Sequence, residues 1–234
     1  MSTVHRGLDV PTVVRTSLAI ADAEGLDGLT MRRLASELDV TPMAIYHHVK
    51  NKEQLLDLVV DESLKELPAV DNDAPWTEEL KRFFLGFHRL YLDHPTLAYL
   101  MAQRPLEGPT AVTVAERVLT LLVQAGLDDD QAAAALVTLL NFTIGTSLHR
   151  LSRTRHGDDQ REQRFSTIPV ESAPITYRLR HKMADAAVNE DHFVDGLSRL
   201  IESYASPRGP AAKPARRPSR PSGQRQSRKA VKSA

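Results

Sequence analysis

Along this 234-residue chain, apolar residues recur at helical spacing as far as about residue 204. No stretch alternates with the period of two that marks a strand. In 10–24, Val10, Val14, Leu18 and Ala21 make one stripe, and Gly25 follows in the position that closes a helix. In 30–38, Met31, Leu34, Ala35 and Leu38 fall at i, i+3, i+4 and i+7, with Thr30 ahead of them as N-cap. Asp39-Val40 reads as a turn. Thr41-Pro42 then supplies a cap residue and a proline at the first helical position, where its missing N–H costs nothing. Ile45 and Val49 turn inward, so Pro42, Met43, Tyr46 and His47 point outward. A fourth helix is predicted over 53–66, with Leu55, Leu56, Val59 and Leu64 inward and Pro68 ending it.

Residues 68–75 carry two prolines and two aspartates and read as a linker. From Trp76 the pattern resumes through Leu80, Phe84, Phe87 and Tyr91 until Pro95. A short helix over 96–103 ends before Pro105. Pro109 opens another helix that Gly126 closes, and Asp128 caps a long apolar helix reaching about Arg153. Residues 154–174 are polar and weakly patterned, and read as a long loop. Two more helices are predicted over 176–188 and 190–204. From Ser206 onward Pro, Arg, Ser, Gly and Lys dominate, which precludes a core. The expected fold class is all-α, with a head over 1–66, a linker over 67–75, a second domain over 76–205 and a disordered basic tail over 206–234.

The paired short helices of 30–48 present a polar and aromatic face, which suits insertion into a DNA major groove. A surface helical hairpin with solvated charges gives the same pattern. Residues 30–52 hold four cations (Arg32, Arg33, Lys50 and Lys52) against Glu37 and Asp39. Arg32 stands in the first turn of its helix, within reach of a guanine edge or a phosphate. Lys50 and Lys52 flank the start of the fourth helix, where a helix N-terminus and a lysine favour phosphate.

The run LTMRRLASELDVTPMAIYHHVKNKEQLLD closely resembles the DNA-binding segment of the TetR (tetracycline repressor) family. The matching features are L-T-x-R-x-L-A-x-x-L-x-V, Y-x-H-V, and K-N-K-x-x-L-L-D. The resemblance implies that Arg32 reads or clamps DNA in the major groove, that Pro42, Met43, Ala44, Tyr46 and His47 meet bases, and that Thr30, Thr41, His48 and Lys52 position phosphates, with Met31 also among the DNA-binding candidates. Asp39 departs from the family, which usually has glycine in a left-handed turn there. Asp tolerates that conformation better than most residues.

Residues 76–204 also resemble the C-terminal domain of the tetracycline-repressor branch. The resemblance rests on Trp76, Arg104-Pro105, the Q-A-G-L turn, N-F-T-I-G and H-F-V-D-G-L-S-R-L-I. It implies a homodimer, paired through the eighth and last helices, and a small-molecule pocket among helices four to eight. Phe84, Phe87, His88, Tyr91, Arg104 and Asn141 are the ligand-binding candidates there, although the aromatics equally suit a plain core. Asn141 interrupts an apolar run, and its amide needs partners if buried, either a ligand or a second subunit. Pro68 and Leu100 (or its neighbour Met101) stand where the tetracycline repressor has histidines at its magnesium-bound drug, so tetracycline itself is not expected. His88 and His94 lie six apart, on different faces of one helix, which disfavours a metal pair.

Charge changes the picture only locally. Cations and anions number 30 each, yet residues 206–234 hold nine cations and no acid. Residues 1–205 therefore hold 21 cations against 30 anions, a balance of −9. DNA binding is thus argued from the local patch and not from overall charge. The chain has no cysteine, which suits a reducing cytoplasm, and no apolar run approaching a membrane span. It lacks a phosphate-binding glycine loop, His-Glu-x-x-His and Gly-x-Ser-x-Gly, so no enzyme, metal or cofactor is expected. The expected function is a sequence-specific transcriptional regulator, a repressor that a small-molecule effector releases from a palindromic operator. The alternative is a dimeric small-molecule-binding protein without specific DNA binding.

Overall fold

The computed structural model describes residues 8–104, 106–155, 170–186 and 189–205. The expected tail over 206–234, Pro105 and most of the expected loop over 154–174 lie outside the described residues. The elements in chain order are α1 Val10–Gly28, α2 Met31–Glu37, α3 Pro42–Tyr46, α4 Lys52–Ser63 and a single 3-10 turn, Leu64–Glu66. They continue with α5 Trp76–Asp93, α6 Pro95–Gln103, α7 Pro109–Gln124, α8 Asp129–Arg155, α9 Pro174–Ala186 and α10 Glu190–Ala205. Among the described residues there is no strand.

The helix ends follow from side-chain caps. The Asp9 carboxylate accepts from Thr12 N at 2.8 Å and starts α1. Thr30 Oγ1 accepts from Arg33 N at 3.1 Å and starts α2. Asn51 Oδ1 accepts from Gln54 N at 2.8 Å and starts α4. At α8, Asp128 Oδ1 accepts from Gln131 N at 2.8 Å, and Gln131 Oε1 accepts from Asp128 N at 3.1 Å, a reciprocal capping box.

The turn after α2 forms as the sequence suggests. Asp39 sits at φ 52°. Val40 N donates to Ala35 O and Asp39 N to Ser36 O, the two bonds of a Schellman close. Gly126, at φ 93°, closes α7 with the same pair of bonds, Leu127 N to Leu122 O and Gly126 N to Val123 O. The first helix runs past its expected end: Gly25 is non-helical, at φ 79° and ψ 170°, and one further turn follows to Gly28.

The head packs α1 to α4 around Val13, Val14, Leu18, Leu34, Ala35, Ile45, Val49 and Leu55, all buried. The short α3 is held down by Ile45 and Val49. Truncating a fully buried isoleucine of this kind costs about 2–5 kcal/mol. The second half packs α8 against α5, α6, α7 and α10. One contiguous apolar core runs through both halves, joined where α1 and α4 meet α6 and α4 meets α7.

Residues 67–75 are fastened to α5. Glu79, 4% exposed, accepts from Asp71 N at 2.6 Å and from Arg82. The Arg82 guanidinium beside it holds its carboxyl below the usual range, and Arg82 also donates to Ala69 O. By length and composition alone, α8 is apolar enough to cross a membrane. In the fold it lies against four other helices, with Ala133, Val137 and Asn141 exposed at four-residue spacing.

Candidate functional site

Two regions bring the sequence candidates together. The first is the exposed end of the head. Thr30, Arg32, Thr41, Pro42, Met43, Tyr46, His47 and His48 are exposed, while Met31 and Ala44 are half-buried. Met43 is 66% and Tyr46 45% exposed, three residues apart and so neighbours on the outer face of α3. Pro42 opens α3, and Ile45 faces the core on the opposite side. Thr41 takes the N-cap backbone position without using its hydroxyl to cap, which leaves that hydroxyl available at the surface.

The cations of this region divide by what they touch. Arg33 is held by Glu24 at 2.9 Å and Glu37 at 2.6 Å, and those bonds raise its pKa. Arg32 is exposed and forms no ion pair among the described residues. Lys52 is half-buried and donates to Leu26 O, tying the start of α4 to the end of α1. Lys50 is exposed beside it.

The second region lies behind the head. Phe84, Phe87, His88 and Tyr91 are all buried on α5. Ring centroids are 6.1 Å apart for Phe83–Phe87 and 4.8 Å for Phe87–Tyr91, so an aromatic row runs along the helix. The Tyr91 hydroxyl is buried and has no hydrogen-bond partner among the described residues, and burial pushes the phenol pKa up. An unmatched buried hydroxyl costs about 1–3 kcal/mol.

His88 stacks on Phe193 with centroids 4.0 Å apart. Its Nδ1 lies 2.7 Å from Ser147 Oγ, whose own proton goes to Thr143 O at 2.7 Å. Nδ1 is therefore the donor, and Nε2 is left as an acceptor facing Arg150 at 3.4 Å. Burial, assisted by the Arg150 charge, lowers the His88 pKa to about 4, so the ring is neutral. His94 is separate and faces Asp22 at 3.3 Å. Among the described residues no three His, Cys, Asp or Glu side chains gather as a metal site.

Arg104 points to the head, where it pairs with Glu53 and Asp57 of α4. Asn141 is exposed on α8. Neither stands among the buried aromatics, so the six ligand candidates do not form one cluster.

Sequence reasoning missed three polar links between head and second domain. Asp22 accepts from Thr96 N at 2.9 Å, Arg104 bridges to α4, and Asp61 accepts from Thr110 N at 2.9 Å and Ala111 N at 3.1 Å. A Cβ on Gly108 would stand 2.2 Å from Asp61 Oδ1, so a glycine is required for that approach. Gly108 immediately before Pro109 was the one available signal.

A cleft of about 550 Å³ opens between the end of α4, the 67–70 segment, Phe83 of α5 and the first turns of α7. None of the six ligand candidates lines it, although Phe83, which does, belongs to the same aromatic row.

Comparison with known proteins adds the following. A family model described as bacterial regulatory proteins, tetR family, matches residues 14–59. One described as tetracyclin repressor-like, C-terminal domain, matches residues 67–204. The HTH-type transcriptional repressor DrrR1 of Streptomyces coeruleorubidus is 32% identical over 206 residues, covering 83% of this chain and 76% of that protein. The tetracycline repressor protein class A from transposon 1721 of Escherichia coli is 32% identical over 205 residues, covering 84% and 90%. Among solved structures, the Streptomyces coelicolor TetR family protein ActR in complex with actinorhodin superposes with a TM-score of 0.72. It is 34% identical and covers 84% of this chain and 96% of that one.

Proposed function

The chain belongs to the tetR family of bacterial regulatory proteins and is a ligand-responsive, DNA-binding transcriptional repressor, and we propose that it reads a palindromic operator as a homodimer through α3. The observation that carries the reading is the exposed face of that helix. Met43 and Tyr46 are large apolar side chains held out in solvent by a helix whose inner side is locked by Ile45. A rigid outer face with an adjacent thioether and phenol offers apolar contact to thymine methyls and a hydroxyl to base edges.

Arg32 enters the major groove beside α3. Thr30, Thr41, His47 and His48 reach bases or phosphates at its edges. Lys52 keeps two of its three N–H donors for a phosphate beside the one it gives to Leu26 O, and exposed Lys50 lies next to it. Residues 1–66 act as the head and 76–205 as the effector and dimer domain, with 67–75 between them. The exposed α8 face of Ala133, Val137 and Asn141 supports pairing with a second copy through α8 and α10. The protein acts in the cytoplasm, where operator DNA is, and carries out no catalytic step.

Actinorhodin is bound by ActR, and relatives of this chain are tetracycline repressors. An effector of comparable drug-like size fits the effector domain here. The test is a mobility-shift titration with the region upstream of the protein's own gene. Wild type should shift it, and Tyr46→Ala should do so weakly. Equal binding by both removes α3 from the interface.

A further inference from the structure

We propose that the effector site is the 550 Å³ cleft beside α7 and that it takes an apolar molecule carrying an anionic group, with Arg117 as the counter-charge. The proposal deepens the ligand-responsive reading and rests on it. The volume lies within the range of small-molecule sites, roughly 300–1,000 Å³. The floor is apolar, made by Leu64, Leu67, Val70, Phe83 and Val114, and no aspartate or glutamate lines the cleft.

Two cations line it, and they differ. Lys65 is neutralised by Glu62 at 2.6 Å. Arg117 is exposed and forms no ion pair or hydrogen bond among the described residues. Thr113 Oγ1 donates to Pro109 O and keeps its lone pairs toward a donor. An apolar floor with one unpaired guanidinium at its rim selects an amphipathic anion, a carboxylate or sulfonate on a ring system, over a neutral or cationic molecule of the same size.

The position also suits regulation. The cleft is walled by Leu64 and Lys65, directly after α4, and by Pro109 and Thr110 in the first turn of α7. That turn is the one Asp61 of α4 holds. An occupant there presses on the bond that couples α4 to the effector domain.

The test uses full-length protein and two fluorescent probes of the same ring system: anilinonaphthalene sulfonate, which is anionic, and phenylnaphthylamine, which is not. The sulfonate should bind once per chain, and Arg117→Gln should weaken it roughly five- to tenfold while leaving the neutral probe unchanged. Added salt should weaken the sulfonate on wild type and not on the variant. Thr113→Trp, an exposed position on the cleft wall, should displace both probes without changing the thermal melt. Equal effects of Arg117→Gln on both probes, or none on either, would overturn the anion preference. Retention of both probes by Thr113→Trp, or no single-site binding at all, would overturn the location. Operator binding is scored on the same samples. Loss there with intact probe binding defeats the repressor reading and not the site.

Discussion

Asp61 Oδ1 lies 2.9 Å from Thr110 N, so a side chain of the connecting helix α4 caps the first turn of α7, 49 positions away in sequence. The bond is one of three polar links that fasten the head to the effector domain. Asp61→Ala should cost about 1 kcal/mol of stability, as for loss of an N-cap, with Asp61→Asn closer to wild type because it keeps the acceptor. Urea titration measures the first effect. The same variant should also need a different effector concentration for release, because the coupling passes through this bond. A variant with lower stability and an unchanged release curve would remove Asp61 from the coupling path.

Arg32 and Arg33 are neighbours with opposite expected behaviour. Arg32→Ala should weaken operator binding by about 1–3 kcal/mol and leave the melt alone. Arg33→Ala breaks the exposed pairs with Glu24 and Glu37, a small loss of stability at most because solvent screens them, with little effect on DNA. Binding isotherms and melts on both variants check the division.

Tyr46→Ala should lose about 1–3 kcal/mol of operator affinity. The ring is 45% exposed, so the head should melt as before. A melted head would mean that the ring serves the core.

His88 makes the stability depend on pH. Its pKa is lowered to about 4 in the fold against 6.5 unfolded. Above pH 6.5 neither state holds the proton, and the folded state carries no penalty. Between 6.5 and about 4 the unfolded chain takes up the proton first, so stability falls as pH falls across that window. The full loss is on the order of 3 kcal/mol. His88→Gln should flatten that part of the profile in denaturant titrations run from pH 7.5 to 4.5. An unchanged slope would show that other groups set it.

The helices and the α3 face were legible in the sequence because they depend on local spacing. Thr30, Asp39, Pro42 and Asp128 each announce a helix end within four residues of themselves. The links that fix the effector domain were not legible. His88 meets Ser147 across 59 positions, and Arg104 meets Glu53 across 51. No periodicity on one helix reveals a partner on another. Arg104 is a pocket candidate through the resemblance, and its pairing with two acids of α4 could not be read from its own segment. Asn141, in its apolar run, reads as an amide that needs a ligand or a second subunit if buried, and one helix cannot show which side it faces. It falls four residues after exposed Val137, on the side of α8 that this chain leaves open. The Lys52 bond to the Leu26 carbonyl crosses 26 positions and was likewise not legible from its place at a helix start.

Residues 206–234 carry nine cations and no acid. Truncation after Tyr204 should lower the slope of log K against log salt, by about 0.9 for each phosphate that the segment neutralises. The preferred operator should stay the same. Equal slopes for the two proteins would exclude a contribution of this segment to DNA affinity.

Whether α3 of two paired subunits reads the operator is decided by hydroxyl-radical footprinting on the upstream region, with sedimentation of the same complex. The expected result is two protected patches related by a palindrome, about one helical turn or roughly 34–36 Å apart, with two chains bound. Protection of a single half-site by one chain would contradict it.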